Sequence, residues 1–310
     1  MKWKLAIALL MWNSPAQAQI RPDQTLPNNS IATPNGNTIG ITGGTTAGSN
    51  LFHSFERFDV RNGAIVHFQN AAAIDNIFSR VTGNAPSRID GLIRTNGTAN
   101  LFLLNPNGIL FGENAALNIG GSFLATTADR IDFADGTTFS AATPQATPLL
   151  TVSAPIGLQF GSNPGGVVNE SVAEVRQPLG TPDPIVGLSV NPGQTLALIG
   201  GEISLPGGEL TAPGGQIELG SIASASRVRL TPNSAGWQFS YADVRMFGDI
   251  VLSNVADVDA SGEGGGTIWL WGDRIALTDS LIRANTLGDQ DGNGIFIRAD
   301  RLVVEDGAQI

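Results

Sequence analysis

Short apolar runs separated by turn residues recur along most of this chain. The clearest example is residues 101–104 and 109–111, which flank the tetrapeptide Asn105-Pro106-Asn107-Gly108. Apolar runs this short between turn residues are typical of buried strands, because helices need longer periodic segments. The tetrapeptide has the residue order of a type I turn, in which the first Asn bonds within the turn, Pro presets φ and Gly ends it. The pattern predicts two buried strands joined by a tight corner.

Three segments repeat one order of residues. Residues 128–136, 272–280 and 299–307 each read Asp-Arg, then apolar-x-apolar, then Asp followed by Gly or Ser. The last two copies begin 27 residues apart (299 minus 272). Repeats of about 20–30 residues built from short strands and turns are typical of a parallel β-helix. Because coils stacked about 4.8 Å apart share one continuous core, we predict an all-β solenoid.

The chain divides into a leader, a cap and a coiled region. Residues 1–18 combine Lys2 and Lys4 with an apolar run and a small-residue cleavage site ending at Ala18, which is the pattern of a signal peptide. The rest, 19–310, is expected to be one β-helix domain. Within it, residues 19–80 are expected to form an N-terminal antiparallel cap that protects the open sheet edge, and residues 81–310 are expected to form the coils.

Two Pro-dense stretches interrupt the coiled region, near 141–148 and at 155–192. Pro lacks the N–H that a parallel ladder needs, so extra-helical loops or edge hairpins are expected there. The chain stops just after the third Asp-Gly turn, without a polar closing segment. We therefore expect the natural protein to continue past this point, since an uncapped coil invites aggregation.

Composition narrows the functional classes. Charged residues make up 14% of the chain, and the formal net charge is −10. Removing the leader takes away two lysines and no acid, which leaves −12 and no lysine at all. Such a chain offers no basic surface for nucleic acid or anionic lipid. The chain also has no cysteine, which fits two alternatives: a core that needs no disulfides, or a chain that stays unfolded in the periplasm before it crosses a pore.

Candidate metal ligands are few. Asp289, Asp291, Asn293 and Asp300 fit the calcium-loop spacing D-x-[DN]-x-[DN]-G-x5-E, with Asp in place of the final Glu. A strand expected at 295–297, where a helix should begin, argues against such a loop. Calcium binding is therefore a secondary hypothesis, and no metal site or other cofactor is expected.

Catalytic signatures are also missing from the sequence, which has no G-x-S-x-G elbow, P-loop or H-E-x-x-H motif. His53 and His67 lack companion ligands and are expected on an exposed cap strand. The repeated Asp-Arg pairs could belong to a β-helix polysaccharide lyase or hydrolase. Their recurrence instead favours a structural role, in which Asp of one coil meets Arg of the next.

A carbohydrate-binding surface module is a further alternative, with Trp269 and Trp271 as candidate stacking residues. Because side chains alternate along a strand, at most one of the two indoles is expected to be exposed.

Asn105-Pro106-Asn107-Gly108-Ile109, preceded by an apolar run, resembles the NPNGI motif of the filamentous haemagglutinin family. Residues 81–91 resemble the family segment that leads to this motif, and residues 119–123 resemble the segment that follows it. The resemblance covers roughly residues 20–300 and concerns the N-terminal secretion domain of TpsA-type exoproteins in two-partner secretion.

The resemblance implies a right-handed parallel β-helix with an N-terminal cap and extra-helical strands, and a domain that is not an enzyme. It also implies a partner, a TpsB-type β-barrel transporter of the outer membrane with periplasmic recognition domains. In this interpretation the unfolded chain is recognised in the periplasm of a Gram-negative cell and threaded outward. Its coils then fold at the cell surface or outside the cell, as part of an adhesin-like exoprotein whose ligand is a surface glycan or protein of a host.

One part of the chain departs from the family pattern. A second turn motif, NPNL, often lies upstream of NPNGI, but residues 69–78 here read Gln-Asn-Ala-Ala-Ala-Ile-Asp-Asn-Ile-Phe. Transporter recognition through that site is therefore not predicted for this chain, whereas the predicted fold is unaffected.

Overall fold

The computed structural model describes residues 19–145, 150–175, 185–233 and 236–310, and every regular element in them is a strand. The predicted signal peptide, and the parts of the Pro-dense stretches at 146–149 and 176–184, lie outside the described residues. Within the described ranges, no helix has the length and apolarity needed to cross a membrane.

The strands follow one another at short intervals. The first eleven are β1 (Ile20–Pro22), β2 (Ser30–Asn35), β3 (Thr38–Gly43), β4 (Thr45–Ala47), β5 (Asn50–Phe58), β6 (Ile65–Phe68), β7 (Asn76–Val81), β8 (Ser87–Ile89), β9 (Leu92–Thr95), β10 (Asn100–Leu104) and β11 (Ile109–Phe111). The next eleven are β12 (Ala116–Asn118), β13 (Phe123–Thr126), β14 (Arg130–Phe133), β15 (Thr138–Ser140), β16 (Pro155–Gln159), β17 (Val167–Asn169), β18 (Glu174–Val175), β19 (Ile185–Val186), β20 (Leu188–Ser189), β21 (Thr195–Gly200) and β22 (Ile203–Pro206). The remainder are β23 (Glu209–Thr211), β24 (Gln216–Ser221), β25 (Arg227–Asn233), β26 (Gly236–Ser240), β27 (Ile250–Ser253), β28 (Asp257–Asp259), β29 (Thr267–Trp271), β30 (Arg274–Thr278), β31 (Leu281–Arg283), β32 (Gly294–Arg298) and β33 (Arg301–Glu305).

Most strands belong to a parallel β-helix, as the repeats predict. The first sheet stacks β5, β7, β10, β13, β21, β24, β29 and β32 in parallel, one strand from each coil. The second sheet stacks β8, β11, β17, β22, β27, β30 and β33. A third side is formed by β3, β6, β9 and β12 in the early coils and by β20, β23, β28 and β31 in the later ones.

The interior of the helix is filled by apolar side chains that alternate with outward-facing ones. In the first sheet, Leu101, Phe123, Leu196 and Ile217 occupy the same register position in successive coils, and all are buried. No coil could bury this face by itself, so stacking creates the core. Each fully buried side chain of this size contributes roughly 1.5–3 kcal/mol.

The N-terminal cap is antiparallel, but it is shorter than predicted. Strands β1 and β4 pair antiparallel with β5, and β2 and β3 form an antiparallel pair. However, β5 already pairs in parallel with β7, and β3 pairs in parallel with β6. Coil stacking therefore begins with β3 and β5 and not at residue 81, because most of β5 is buried as part of the first coil.

A five-stranded antiparallel sheet lies outside the helix, in the order β15-β14-β16-β25-β26. It covers the outer face of the first sheet and creates a second buried cluster with Phe52, Phe78 and Phe102. The predicted interruption at 155–192 supplies only β16 to this sheet. Strands β17 and β20 of that stretch belong to the coils, and β18 and β19 pair as a small antiparallel hairpin.

The Asp-Arg repeat has a different basis from the one predicted. Its first copy lies on β14 of the extra-helical sheet, whereas the other two lie on β30 and β33, which stack in register with Arg274 beside Arg301. In-register parallel stacking places equal positions of a repeat on top of each other, so Arg neighbours Arg. Among the described residues no ion pair joins Asp of one of these copies to Arg of the other.

Candidate functional site

The corner at residues 105–109 joins the first and second sheets between β10 and β11. Its first residue, Asn105, is buried and closes the turn itself: its Oδ1 accepts from the Asn107 amide N–H at 3.0 Å, and its carbonyl accepts from the Gly108 N–H at 3.1 Å. Pro106 is half-buried and Asn107 is exposed. Gly108 has a φ of +117°, which favours glycine at this position. The sequence therefore predicted this corner correctly.

The corner is also bonded to the coil before it. The Asn105 side chain donates to the Ala85 carbonyl at 3.1 Å and to the Ser87 hydroxyl at 3.0 Å. The Asn107 side chain donates to the Gly83 carbonyl at 2.8 Å. Residues 83–87 belong to the segment predicted to lead into the motif, so the two parts of the motif meet in space.

The coil after the corner approaches it closely. The Asn105 N–H donates to the Thr126 carbonyl at 3.0 Å, and the Ile109 N–H donates to the Gly166 carbonyl at 3.1 Å. Gly165 passes so near that a Cβ there would lie 2.5 Å from the Gly108 nitrogen. The corner is therefore held between two neighbouring turns, and the close approach requires glycine at position 165.

A ladder of asparagines along the edge of the first sheet is missing from the sequence-based expectations. Asn50, Asn76 and Asn100 occupy one register position in three successive coils. The Asn76 amide donates to the Asn50 Oδ1 at 3.0 Å, and the Asn100 amide donates to the Asn76 Oδ1 at 2.9 Å. The signal was present in the sequence, because each of the three begins an Asn-apolar-Phe tripeptide.

The region that lacks NPNL still forms an ordered corner. Asn70 is buried, and its Oδ1 accepts from the Asn96 N–H at 2.9 Å. In return the Asn96 side chain donates to the Asn70 carbonyl at 3.1 Å. This reciprocal pair joins equivalent corners of adjacent coils, so the structural part of the corner does not need the NPNL sequence.

A buried arginine fastens the cap to the coils, and sequence reasoning gave no sign of it. Arg80 donates to the Ser54 hydroxyl at 2.8 Å, to the Thr25 hydroxyl at 2.7 Å and to the Ser140 carbonyl at 2.7 Å. Its guanidinium lies 4.3 Å from the centre of the Phe139 ring. Burial lowers the pKa of Arg80 to about 10, while the nearby Asp23 carboxylate opposes that shift, so the side chain stays cationic at neutral pH.

Asp23 is the counterpart of Arg80 in the cap. Burial alone would raise its pKa, but hydrogen bonds from Thr82, Ser54 and Thr25 together bring the pKa below its usual value. The carboxylate is therefore ionised near a buried cation. This network connects the cap, the first two coils and the extra-helical sheet.

The calcium-loop geometry is not formed. Asp289, Asp291 and Asn293 are exposed on the connection before β32, and Asp300 follows the end of that strand. A five-residue strand spans roughly 16 Å, so it separates Asp300 from the other three. Across the described ranges, no group of three His, Asp or Glu side chains is placed to hold a metal ion.

Two expectations about individual side chains are wrong. His53 is buried, not exposed: burial lowers its pKa to about 3, and its Nδ1 lies 3.0 Å from the Ser30 hydroxyl. Trp269 and Trp271 both face outward from the helix and are half-buried, with ring centres 5.9 Å apart. Residues two apart on a strand share a face, so the expectation that only one indole is exposed misapplied the alternation.

A family model described as the TPS secretion domain matches residues 18–270, which is most of the chain. The chain belongs to the TPS secretion domain family. The match includes the cap, the corner at 105–109 and both segments of the extra-helical sheet, so the described features are those of a TPS domain.

Two solved secretion domains have the same fold as this TPS domain. The HMW1 secretion domain of Haemophilus influenzae is 17% identical, with a TM-score of 0.51 over 92% of this chain and 83% of that one. The filamentous hemagglutinin secretion domain is also 17% identical, with a TM-score of 0.50 over 93% of this chain and 98% of that one. At this identity the likeness concerns the β-helical fold alone.

A curated relative is similar over a shorter stretch. The heme/hemopexin-binding protein of Haemophilus influenzae (strain ATCC 51907 / DSM 11121 / KW20 / Rd) is 35% identical over 94 residues. These residues are 30% of this chain and 10% of the relative, so the match spans about a tenth of that protein.

Family membership decides several broad questions. TPS domains are non-enzymatic secretion and adhesin-type domains of TpsA exoproteins, so the interpretation as a polysaccharide lyase or hydrolase is set aside. Proteins with this domain are secreted through a TpsB partner to the cell surface or out of the cell.

Proposed function

We propose that this TPS domain is recognised, while unfolded in the periplasm, by soluble domains of a TpsB-type outer-membrane β-barrel, and that its early coils start β-helix formation outside the cell. The rest of the exoprotein would then act as an adhesin-like molecule towards a surface glycan or protein. Cleavage of the leader after Ala18 is part of this proposal.

The observation that supports folding from the early coils is the way the corner closes. Asn105 bonds to Asn107 and Gly108 within its own turn, so the corner can form before distant residues are present. Its amide nitrogen then bonds to Ala85 and Ser87, which precede it in the chain. Local contacts form faster than distant ones, so this corner is suited to start the stack.

The absence of cysteine and the low charge are consistent with this route. No disulfide can lock the chain before it crosses the outer membrane. The asparagine ladder and the Arg80 network supply cross-coil bonds that form only when the coils meet. The stability of the secreted form therefore depends on folding after export.

The test is an export assay in cells with and without a TpsB-type transporter. Asn107→Ala removes the bonds to Gly83 and Asn105, and Pro106→Ala frees the φ angle of the turn. Each change should destabilise the corner by about 1 kcal/mol. We expect less exported protein and faster proteolysis of the early coils.

The turn at 191–194, which joins β20 to β21, offers matched controls, because it also contains an Asn-Pro step. Asn191 and Pro192 are exposed, so Asn191→Ala and Pro192→Ala should leave export close to the wild-type level. Export without any transporter would contradict the proposal, as would unchanged export and protease resistance in both corner variants.

A further inference from the structure

A groove lies where the extra-helical sheet ends. It is bounded on one side by β26 and the end of β25, and its floor is the outer face of β24, β29 and β32. Its volume is about 380 Å³, which is within the range of small-ligand sites. The TPS fold does not need this groove for coil stacking, because the apolar side chains on the other face of β24 and β29 already fill the inner core.

The floor of the groove is aromatic. The rings of Trp269 and Phe296 are stacked with centres 4.1 Å apart and planes 15° apart. Trp271 continues the row on the other side of Trp269 and stacks on Tyr241 at 4.7 Å. Phe296 is 42% exposed. In the earlier coils the same outward row is covered, as Phe102 is by Trp237.

The rest of the lining is polar but nearly uncharged. It consists of four amide side chains, one hydroxyl group and one carboxyl group, together with the ring of Phe239. The amides are Gln216, Asn233, Gln238 and Asn293, the hydroxyl belongs to Thr267 and the carboxyl to Glu218. Amide groups both donate and accept hydrogen bonds. The lining contains no Arg or Lys, and one cation lies beside it, since the Arg298 guanidinium is 5.8 Å from the centre of the Trp271 ring. A single cation offers little to a nucleic acid or another polyanion.

The carboxyl group is buried and incompletely bonded. Glu218 is 2% exposed, and its Oε2 accepts from the Gln216 amide at 3.1 Å. Its Oε1 has no hydrogen-bond partner in the described part of the chain, and neither have the Tyr241 hydroxyl and the Trp271 indole N–H. Tyr241 and Trp271 are near enough to influence the carboxyl group, but neither makes a hydrogen bond of normal geometry with it. Buried polar groups are normally satisfied, so unpaired ones beside a groove indicate a missing partner.

We propose that this groove binds an uncharged oligosaccharide, with C–H faces of the sugar packed on the aromatic row and hydroxyls bonded to the amide groups and to Glu218. Each sugar hydroxyl both donates and accepts, which suits a lining of amides and an unpaired carboxyl oxygen. The apolar faces of sugar rings suit a flat aromatic floor. The site is independent of transporter recognition, since it lies several coils away from the corner at 105–109.

The test uses the chain of residues 19–310 and begins with an array of neutral and acidic oligosaccharides. Titrations with maltohexaose, cellohexaose and chitohexaose then follow tryptophan fluorescence, because Trp269 and Trp271 lie in the groove. We expect saturable binding of at least one neutral oligosaccharide. Phe296→Ala and Gln238→Ala should each weaken it about tenfold or more, without shifting the unfolding temperature by more than about 4 °C.

Leu287→Ala is the matched control, because Leu287 is a 73% exposed apolar residue on the connection between β31 and β32 and does not line the groove. It should bind like the wild type. The proposal is overturned if no neutral oligosaccharide binds, if only acidic ones bind, or if both groove variants bind normally. It is also overturned if sedimentation shows a dimer that Phe296→Ala dissociates, since the aromatic row would then be a protein interface.

Discussion

At the scale of single residues, Asn105 shows how a buried polar side chain can specify a turn. All four of its polar groups, the Oδ1, the side-chain amide nitrogen, the backbone N–H and the backbone carbonyl, have partners in its own turn or in an adjacent coil. An aspartate would lose the donated bonds to Ala85 and Ser87 and would place an unpaired charge in the core, so the site is specific for asparagine.

Glu218 contrasts with Asn105, because hydrogen bonds compensate only part of the cost of burying its carboxyl group. Burial raises its pKa to about 8 against the hydrogen-bonding influence of Tyr241, Gln216 and Trp271, and the unfolded value is 4.5. Between pH 4.5 and about 8, the Glu218 carboxyl group is therefore protonated in the folded state and ionised in the unfolded state. Its contribution to stability is complete below pH 4.5 and is lost as the pH rises towards 8.

We predict that Glu218→Gln removes this pH dependence. Between pH 5 and pH 8.5 the free energy of unfolding of the wild type should fall relative to the variant by a few kcal/mol. Urea unfolding at several pH values measures the difference, in which effects of other groups such as His53 cancel. Parallel stability curves for the two proteins would contradict a raised pKa at this carboxyl.

At the scale of elements, the Arg80 network decides whether the cap stays attached to the first coils. Its side chain bonds to the cap at Thr25, to β5 at Ser54 and to the extra-helical sheet at Ser140. These three elements meet nowhere else through a buried charged side chain among the described residues.

We predict that Arg80→Met destabilises the domain by about 3 kcal/mol, because three charge-assisted hydrogen bonds are lost and Asp23 remains without its nearby cation. Hydrogen exchange should increase most at residues 20–26 and in β5. Arg94→Met, at an exposed position of β9, is the control and should change stability by less than about 0.5 kcal/mol. Equal effects of the two substitutions would show that Arg80 does not hold the cap to the first coils.

Elements with local signals could be predicted from the sequence, and those with distant partners could not. The corner between β10 and β11 depends on four consecutive residues, so its turn chemistry is visible in the chain. The unbroken apolar run 101–104 also indicates a strand buried on both faces, since apolar and polar residues would alternate if one face were exposed to solvent. What covers the outer face was not predictable, because β25 and β26 lie more than 120 residues further on.

The start of the coils and the candidate site at Glu218 were missed for the same reason. Strand β5 looks like part of a cap until its parallel pairing with β7 is known. Glu218 lies in a segment of ordinary alternating character, Gln-Ile-Glu-Leu, in which an outward-facing glutamate is expected to be solvated. Its burial depends on Tyr241, which packs over Gly220 from another part of the chain. No spacing rule connects these positions.

At the scale of the whole molecule, two cores share the first sheet. The inner core runs through all the coils, whereas the outer core is limited to the coils that the extra-helical sheet covers. The covering sheet is built from two segments, 130–159 and 227–240, so it is completed only when the second segment joins the first.

We predict that a chain ending at residue 226 exposes the outer core, because it lacks β25 and β26 and leaves Phe102 without Trp237. It should bind a hydrophobic dye and unfold with less cooperativity than the chain of residues 19–310. A chain ending at residue 261 keeps both strands and is the control, although it lacks the five strands from β29 to β33. Similar dye binding by the two fragments would show that the second core is not a separate unit of stability.

The limited reach of the extra-helical sheet also makes the domain mechanically uneven. The coils from β5 to β24 are covered on their outer side and β29 is attached to the outer core through Trp271, but β30 to β33 are held only by their neighbours in the stack. Force applied at the carboxyl end would act on these coils first and unfold them one at a time, and each coil would resist through its own ladder of hydrogen bonds. The force would then reach the covered coils, where several strands must give way together. The domain would thus unfold one coil at a time under small forces, and it would then resist further extension until a larger force unfolded the covered coils together.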